Sequence, residues 1–231
     1  MRILAADTSA KAASVAVTDN GKLLGEYFVN IGLTHSQTFM PMCEQLLKTL
    51  DLNIENIDVL AISAGPGSFT GIRIGMAAIK GMAFGRDIKC VSVSTLESLA
   101  YNVSFFDGII CPVMDARCGQ VYNALFENNN GRLQRIVPDR AISIEELNKE
   151  LLLYKKKCIL VGDGAELCYN HLDSDNNIFI SPQSLRFQRA SSVAAAAEDK
   201  PLISANEIKP IYLRLPQAER ELIEKKRRDG V

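Results

Sequence analysis

The sequence repeats one order of structural signals, first at its beginning and again near its middle. The stretch RILAADTSAKAASVAVTDNGKLL contains an apolar run, Asp7, a short polar turn, a second run, Asn20-Gly21 and a third run. The stretch IICPVMDARCGQVYNALFENNNGRL has the same order, with Asp115 and Asn130-Gly131 at the corresponding places. Asn-Gly between alternating runs is a strong hairpin signal. The repetition therefore predicts two copies of a unit that begins with three strands.

A helix and a fourth strand follow the three strands in each half. In the first half, THSQTFMPMCEQLLKTLD has apolar residues on one helical face, with Thr34 as the expected N-cap, and VLAISAG is a buried strand. Pro41 kinks this helix unless it lies near the first turn. In the second half, SIEELNKELLLY and CILVGDG have the same roles, and SSVAAAAED is a later helix.

The predicted fold class is therefore α/β, with duplicated β-β-β-α-β units arranged as two lobes. We expect an N-terminal lobe at 1–104, a C-terminal lobe at 105–214 and a polar terminal helix at 215–231. Two unrelated α/β segments would produce the same order of signals by chance, and the sequence leaves this alternative open.

The composition excludes several classes of protein. With 47% hydrophobic residues, 23% charged residues and a net charge of −1, the chain has no global field that would draw it to nucleic acid or a membrane. Its six cysteines form no C-x-x-C pair, which favours buried, reduced thiols. The start MRILAAD is too short for a signal peptide, and no apolar run approaches ~20 residues. We expect a cytoplasmic protein without a membrane partner.

The stretch AGPGSFTGIRIGMAAIKGMAFG, residues 64–85, is rich in glycine but matches neither common phosphate motif. A P-loop needs Lys and Ser or Thr after its last glycine, where this chain has Ile72 and Arg73. The dinucleotide motif needs one residue fewer between Gly67 and Gly71. A tight strand-to-helix turn at Gly65 and Gly67 still leaves backbone N–H groups that could face an anion.

Beyond this turn, Gly71, Gly75, Ala78, Met82 and Gly85 lie on one face of a predicted helix. Glycine inside a helix costs ~1 kcal/mol relative to alanine, so several on one face indicate a close approach to the backbone. The spacing leaves open whether this protein's own sheet or helix makes that approach, or a partner protein.

No strong catalytic constellation is present in the sequence. His35 and His171 have no ligand-like neighbours, and Ser68 does not lie in a G-x-S-x-G motif. Asp7 and Asp115 would face a central cleft in a two-lobed fold, where they could hold Mg²⁺ on a phosphate. The alternative that each caps its own turn is favoured.

The segment VGDGA, residues 161–165, is compatible with a nucleotide loop or with a simple turn.

The duplicated units, with Asp-Thr after the first strand, resemble the actin, sugar kinase and Hsp70-like ATPase fold. More narrowly, ILAADTSAKAASVAV, SAGPGSFTGIRIGMAAIKGMAFG, VSVSTLESLA and PIYLR resemble the TsaB family, formerly YeaZ, over residues 1–214. The resemblance implies a bacterial protein needed for threonylcarbamoyl modification of adenosine in transfer RNA.

A catalytic relative of that family, TsaD, has a similar turn and helix followed by a metal-binding His-x-x-x-His pair. The matching positions here are Thr95 and Leu99, with Glu97 between them. Leucine cannot coordinate a metal, and a threonine hydroxyl is a poor substitute for imidazole. The resemblance therefore implies no metal site and no catalytic residues in this chain, which would act as a scaffold or activator of TsaD.

The resemblance also implies that a TsaD-like paralogue forms a heterodimer with this chain through the first two helices of each protein. Arg73 would lie at the rim of that surface and meet a partner carboxylate. The same surface would form homodimers when the partner is absent. The residues assigned to it are Met42, Leu46, Gly71, Arg73, Gly75, Ala78 and Met82.

Two further components follow from the resemblance. The first is a third protein, the ATPase TsaE. The second is ATP or ADP, with Mg²⁺, near the shared interface of the complex; only Gly65 and Gly67 of this chain are assigned to the nucleotide, and no cofactor is assigned to the chain alone.

Two other functions compete with the scaffold. A stand-alone ATPase or small-molecule kinase would use Asp7 and Asp115, and Asp7→Asn should abolish its turnover while leaving a scaffold able to assemble. A peptidase is disfavoured by the missing histidine pair.

The basic run at 225–228 is expected to be solvated, so that contact with transfer RNA is indirect.

Overall fold

Two five-stranded sheets of the same topology confirm the predicted duplication. The computed structural model describes residues 1–129, 132–172 and 177–214. The first sheet has the order β3-β2-β1-β4-β5, built from β1 (Arg2–Asp7), β2 (Ala13–Asp19), β3 (Lys22–Val29), β4 (Val59–Gly65) and β5 (Lys89–Ser94). The second has the order β8-β7-β6-β9-β10, built from β6 (Ile109–Arg117), β7 (Gln120–Asn129), β8 (Arg132–Ser143), β9 (Cys158–Val161) and β10 (Ile178–Ile180).

Strand directions also match between the two sheets. In each sheet the first three strands form an antiparallel meander, and the remaining two strands lie parallel to the first. The helices are α1 (His35–Thr49), α2 (Phe69–Ala83), α3 (Thr95–Tyr101), α4 (Ile144–Tyr154), α5 (Ala165–Tyr169), α6 (Gln183–Arg186) and α7 (Ala190–Ala197). The fold is therefore the predicted α/β class, with α1 and α4 as the corresponding helices of the two units.

The start of α1 differs in detail from the prediction. Thr34 occupies the N-cap position, but its side chain accepts no hydrogen bond from the helix backbone. Its hydroxyl instead donates to Oε1 of Gln37 over 2.9 Å. Pro41 lies in the second turn of α1, and the helix continues through it although proline supplies no N–H to the carbonyl four residues earlier.

The last described helix, α7, packs against the first lobe. Its small side chains, among them Ala190, Val193 and Ala194, form one apolar cluster with Ile3 of β1 and Val59 of β4. The expected boundary assigned this helix to a C-terminal lobe at 105–214, and the structure differs because the chain crosses back after α6. An alanine-rich helix carries no sequence signal for which sheet it covers.

An apolar cluster around α3 joins the two lobes. Leu96, Leu99 and Val103 pack there with Ile110 and Met114 of β6. Each lobe has a further core of its own. Across the parts of the chain that the structure describes, no helix has the length and apolar character needed to cross a bilayer. The predicted terminal helix at 215–231, including the basic run, and the Asn130-Gly131 turn lie outside the described residues.

Candidate functional site

A cleft of about 540 Å³ lies between the lobes, where β1 and β6 end. Because β1 and β6 occupy the same place in the two sheets, the turns that follow them face each other across the cleft. The first lobe contributes Ser9, Ala10, Lys11, Gly67, Ser68, Phe69 and Thr70, and the second lobe contributes Met114, Asp115, Ala116, Arg117, Tyr122 and Asp163.

Asp7 and Asp115 each stabilise the turn that follows their own strand. One carboxylate oxygen of Asp7 accepts the N–H of Ser9 over 2.8 Å, and one of Asp115 accepts the N–H of Arg117 over 2.7 Å. This is the role that the sequence favoured for both residues. In both turns the aspartate accepts the backbone N–H of the residue two positions ahead, which supports their correspondence in the duplicated units.

The two aspartates differ in their surroundings. Asp7 is fully buried and also accepts hydrogen bonds from the hydroxyls of Ser9 and Ser63. Burial raises the pKa of Asp7 above its ordinary value, although these hydrogen bonds oppose the shift. Asp115 is exposed and lines the cleft. Asp115 is therefore the member of the pair that can meet a ligand directly.

Asp163, which follows β9, is a cleft residue that the sequence analysis did not single out. Its carboxylate accepts the side-chain N–H of Gln188 over 2.9 Å. The side chain of Asp163 keeps contact with water, yet the surrounding cleft wall desolvates its carboxyl enough to raise the pKa of Asp163 to about 6, and the negative charges of Asp115 and Asp7 add to the increase. The aspartate in VGDGA, directly after a strand of the second unit, was the available signal. At near-neutral pH this carboxyl can take up or release a proton.

We expect Asp115→Asn to lower the pKa of Asp163, because it removes a negative charge that opposes ionisation of the neighbouring carboxyl. A ¹³C NMR titration of the side-chain carboxyls between pH 4 and 8 measures this shift. The Asp139→Asn variant, with its substitution outside the cleft lining, is the control and should leave the titration unchanged. An Asp163 carboxyl that titrates near pH 4 in the unmodified protein would contradict the assignment.

The glycines of the strand-to-helix turn are required by this chain's own backbone. Gly65 and Gly67 have φ values of 122° and 154°. A Cβ on Gly65 would lie 2.2 Å from the carbonyl oxygen of Ile211, and one on Gly67 would lie 2.2 Å from that of Ser9. The N–H of Ser68 donates to the same Ser9 oxygen over 2.6 Å. Of the two glycines, only Gly67 lines the cleft, and nucleotide binding at this turn stays a prediction.

The close approach that the glycine stripe of α2 indicated is made by the turn after β1. A Cβ on Gly71 would lie 2.0 Å from the carbonyl oxygen of Thr8, and one on Gly75 would lie 2.3 Å from the Thr8 hydroxyl. That hydroxyl also donates to the carbonyl of Gly71 over 2.8 Å. For these two glycines, the structure selects the alternative in which the protein itself supplies the neighbour. Farther along, nothing lies within 4 Å of the Cβ position of Gly85.

A mostly apolar groove of about 470 Å³ runs between α1 and α2. The side chain of Met40 is 45% exposed there. Met40 and Leu47 were not among the predicted partner contacts, although their seven-residue spacing places both on one face of α1. The groove is lined by Met40, Pro41, Cys43, Glu44, Leu47, Ile54, Met82 and Arg86.

The predicted partner-binding residues fall into three groups. Met42, Leu46, Gly71 and Gly75 are buried within the chain, so they lie beneath the surface and do not form it. Ala78 and Met82 are half-buried, and Met82 lines the groove. Arg73 is exposed, but its side chain donates to the Tyr212 hydroxyl over 2.8 Å and lies 5.5 Å from the ring centroid. Partner binding stays a prediction for all seven residues.

The two positions that the resemblance assigned to the metal ligands of TsaD carry buried side chains, and Glu97 between them is ion-paired. Thr95 and Leu99 are both fully buried, and Leu99 packs in the cluster between the lobes. Glu97 pairs with Arg135 over 3.1 Å and with Lys200 over 2.9 Å. Within residues 1–129, 132–172 and 177–214, no group of three or more His, Cys, Asp or Glu side chains is placed to hold a metal ion.

Two lobes of one topology, with matching aspartate turns at a central cleft, define the actin, sugar kinase and Hsp70-like ATPase fold. A Pseudomonas aeruginosa protein described as similar to the peptidase YeaZ superposes with a TM-score of 0.81 at 23% identity, covering 92% of this chain and 99% of that one. Residues 31–223 match the family model described as "TsaD: tRNA N6-adenosine threonylcarbamoyltransferase".

Curated relatives specify the family more closely. TsaB of Bacillus subtilis strain 168 is 33% identical over 97% of this chain and 99% of its own length. TsaB of Escherichia coli K12 is 28% identical over 93% of this chain and 95% of its own. The chain belongs to the TsaB family of tRNA threonylcarbamoyladenosine biosynthesis proteins.

Proposed function

We propose that the chain is a non-catalytic subunit of the complex that transfers a threonylcarbamoyl group to adenosine 37 of transfer RNA. In this proposal it binds a metal-bearing TsaD-like paralogue as its scaffold or activator, together with a TsaE-like ATPase, in the cytoplasm. The contact with transfer RNA is indirect. When the paralogue is absent, the same surface forms a homodimer.

The groove between α1 and α2 is the observation that carries the proposal. Burial of its exposed apolar side chains by a partner would stabilise the complex by roughly 25 cal/mol for each Å² of apolar surface removed from water. Methionines such as Met40 and Met82 adapt to the shape of a docked helix. Because the TsaD family model also matches this chain, a TsaD-like partner would present two corresponding helices, and the two pairs would pack as a four-helix bundle.

The buried residues on the predicted surface have an indirect role in this proposal. Gly71 and Gly75 hold α2 close to the turn after β1, and Leu46 holds α1 on the sheet. These contacts fix the spacing of the two helices, and therefore the width of the groove. Direct contact with the partner is left to Met40, Leu47, Ala78 and Met82.

Met40→Glu should weaken binding of the TsaD-like paralogue from the same organism at least tenfold, because the interface would have to bury an unpaired carboxylate. Sedimentation velocity over a concentration series measures the heterodimer. Leu153→Glu is the matched control: Leu153 is 79% exposed on α4, in the other lobe, and its substitution should leave binding unchanged. Equal binding by both variants, or no heterodimer with the unmodified chain, would contradict the proposal.

The cleft carries a second part of the proposal. The exposed side chains of Lys11, Ser68 and Thr70 suit the phosphates of ATP or ADP, because hydroxyl and ammonium groups donate hydrogen bonds to anions. In the complex, a nucleotide with Mg²⁺ would bind at the shared interface, with Gly67 in the wall. The phosphates of the bound nucleotide would accept hydrogen bonds from these side chains.

The exposed Asp115 and the raised pKa of Asp163 favour one competing function, a stand-alone ATPase or small-molecule kinase. Purified chain should not turn over ATP if it is a scaffold alone. Steady turnover that is lost in Asp115→Asn, with no heterodimer formed, would favour the competing function.

A further inference from the structure

The segment 203–214, here called the strap, is held along the first lobe. Ile203 and Cys90 exchange backbone hydrogen bonds of 2.8 and 2.9 Å, which adds the strap to β5 at the edge of the first sheet. Ile208 is fully buried in the first-lobe core. The N–H of Ile211 donates to the carbonyl of Ala64 over 2.7 Å. The strap therefore reaches the end of β4, beside the cleft, with a fixed position.

Tyr212 then contacts the first wall of the cleft. Its ring stacks on that of Phe69, with the centroids 4.4 Å apart and the planes 25° apart. Phe69 is a cleft-lining residue at the start of α2. Arg73, one turn farther along α2, holds the Tyr212 hydroxyl by the hydrogen bond described above. The ring and the hydroxyl of Tyr212 therefore both contact α2.

The next two residues contact the second lobe. Leu213 packs against the apolar cluster around α3, which includes Met114 and Ala116 of β6. One guanidinium nitrogen of Arg214 donates to the carbonyl of Ala116 over 2.5 Å and lies 3.4 Å from that of Arg117. Ala116 and Arg117 line the opposite wall of the cleft. Three consecutive residues thus join a lining residue of one lobe to lining residues of the other.

We propose that the strap is a latch that sets the width of the cleft. The lobes share a buried cluster around α3, and a fold of this kind can close or open about such a contact as a hinge. The strap bridges the two walls with groups that remain in contact with water: Tyr212 is 36% exposed and Arg214 is half-exposed. Loss of these contacts would release the second lobe without disturbing the core of either lobe.

Two labels across the cleft test this latch. Cys118, in the turn after β6, is exposed, whereas the other five cysteines are buried. Thr70 is exposed on the opposite wall. In a Thr70→Cys protein, spin labels at these two positions allow the width of the cleft to be measured by double electron–electron resonance.

Tyr212→Ala combined with Arg214→Ala should shift the label-to-label distance distribution to longer values and broaden it. Lys209→Ala, an exposed substitution on the same strap, is the control and should leave the distribution unchanged. Circular dichroism establishes that each variant is folded. If the double variant is unfolded, Arg214→Ala alone tests the same bridge. A folded variant with the unmodified distribution, or an equal shift in Lys209→Ala, would overturn the proposal.

Discussion

Gly71→Ala is expected to lower the free energy of unfolding by about 3 kcal/mol or more, although alanine is the better helix former. The added methyl group would lie 2.0 Å from the carbonyl oxygen of Thr8. That oxygen belongs to the backbone of the turn after β1, so it cannot move aside as a flexible side chain would. The turn and α2 would have to separate, and the Thr8 hydrogen bond to Gly71 would be lost with them.

Urea unfolding measures this change, and α2 supplies its own control. Gly81 lies on the same helix, with nothing within 4 Å of its Cβ position. Gly81→Ala should therefore raise the free energy of unfolding by about 1 kcal/mol. Equal stability of the two variants would contradict the close packing of Gly71. A bulky residue at Gly75 would clash with the Thr8 side chain in the same way. Weaker partner binding by such a variant would therefore reflect a disturbed fold and would not identify Gly75 as a contact.

Asp7→Ala is expected to cost about 3 kcal/mol for a related reason. The substitution removes the acceptor for the N–H and hydroxyl of Ser9 and for the hydroxyl of Ser63, all in a fully buried place. A buried donor left without an acceptor costs about 1–3 kcal/mol. Asp7→Asn retains one side-chain oxygen for Ser9, and the Ser63 hydroxyl can rotate to accept from the new amide. It should therefore cost much less than Asp7→Ala.

The pH dependence of stability separates the charge of Asp7 from its hydrogen bonds. The folded-state pKa of Asp7 lies above its ordinary value of 3.8, so the folded chain binds this proton more tightly than the unfolded chain does. Its contribution to stability is complete below pH 3.8 and declines as the pH rises through the folded-state pKa. Stability measured relative to Asp7→Asn should therefore fall across that window. A difference that rises with pH would contradict the burial of the carboxyl.

The fold was predictable where the signal is local. Asn20 and Gly21 have φ values of 48° and 77°, as a tight hairpin turn requires, and they separate β2 from β3 as expected. Repetition of that signal was enough to predict the duplication. The α7 helix was predicted as an element, but its position was not, because an alanine-rich segment packs equally well on either sheet.

The candidate site was less predictable, because its residues meet only through the fold. Spacing showed that something approaches the glycines of α2, but it could not show that Thr8 does so from 63 positions away. The pKa of Asp163 is raised to about 6 because the folded cleft wall desolvates its carboxyl, and because two distant turns bring the charges of Asp115 and Asp7 close to it. The spacing of Met40 and Leu47 places both on one face of α1, but it does not show that α2 leaves a groove beside them.

The return of α7 to the first sheet has a consequence for synthesis of the chain. The strands of that sheet are translated first, yet the face that carries Ile3 and Val59 is covered by residues of 190–197. The ribosome must therefore produce the whole second lobe before the first lobe can complete its core. Until then the nascent chain exposes an apolar sheet face, the kind of surface that chaperones bind. The first lobe, whose strands are synthesised first, therefore completes its core only after residues 190–197 have been synthesised.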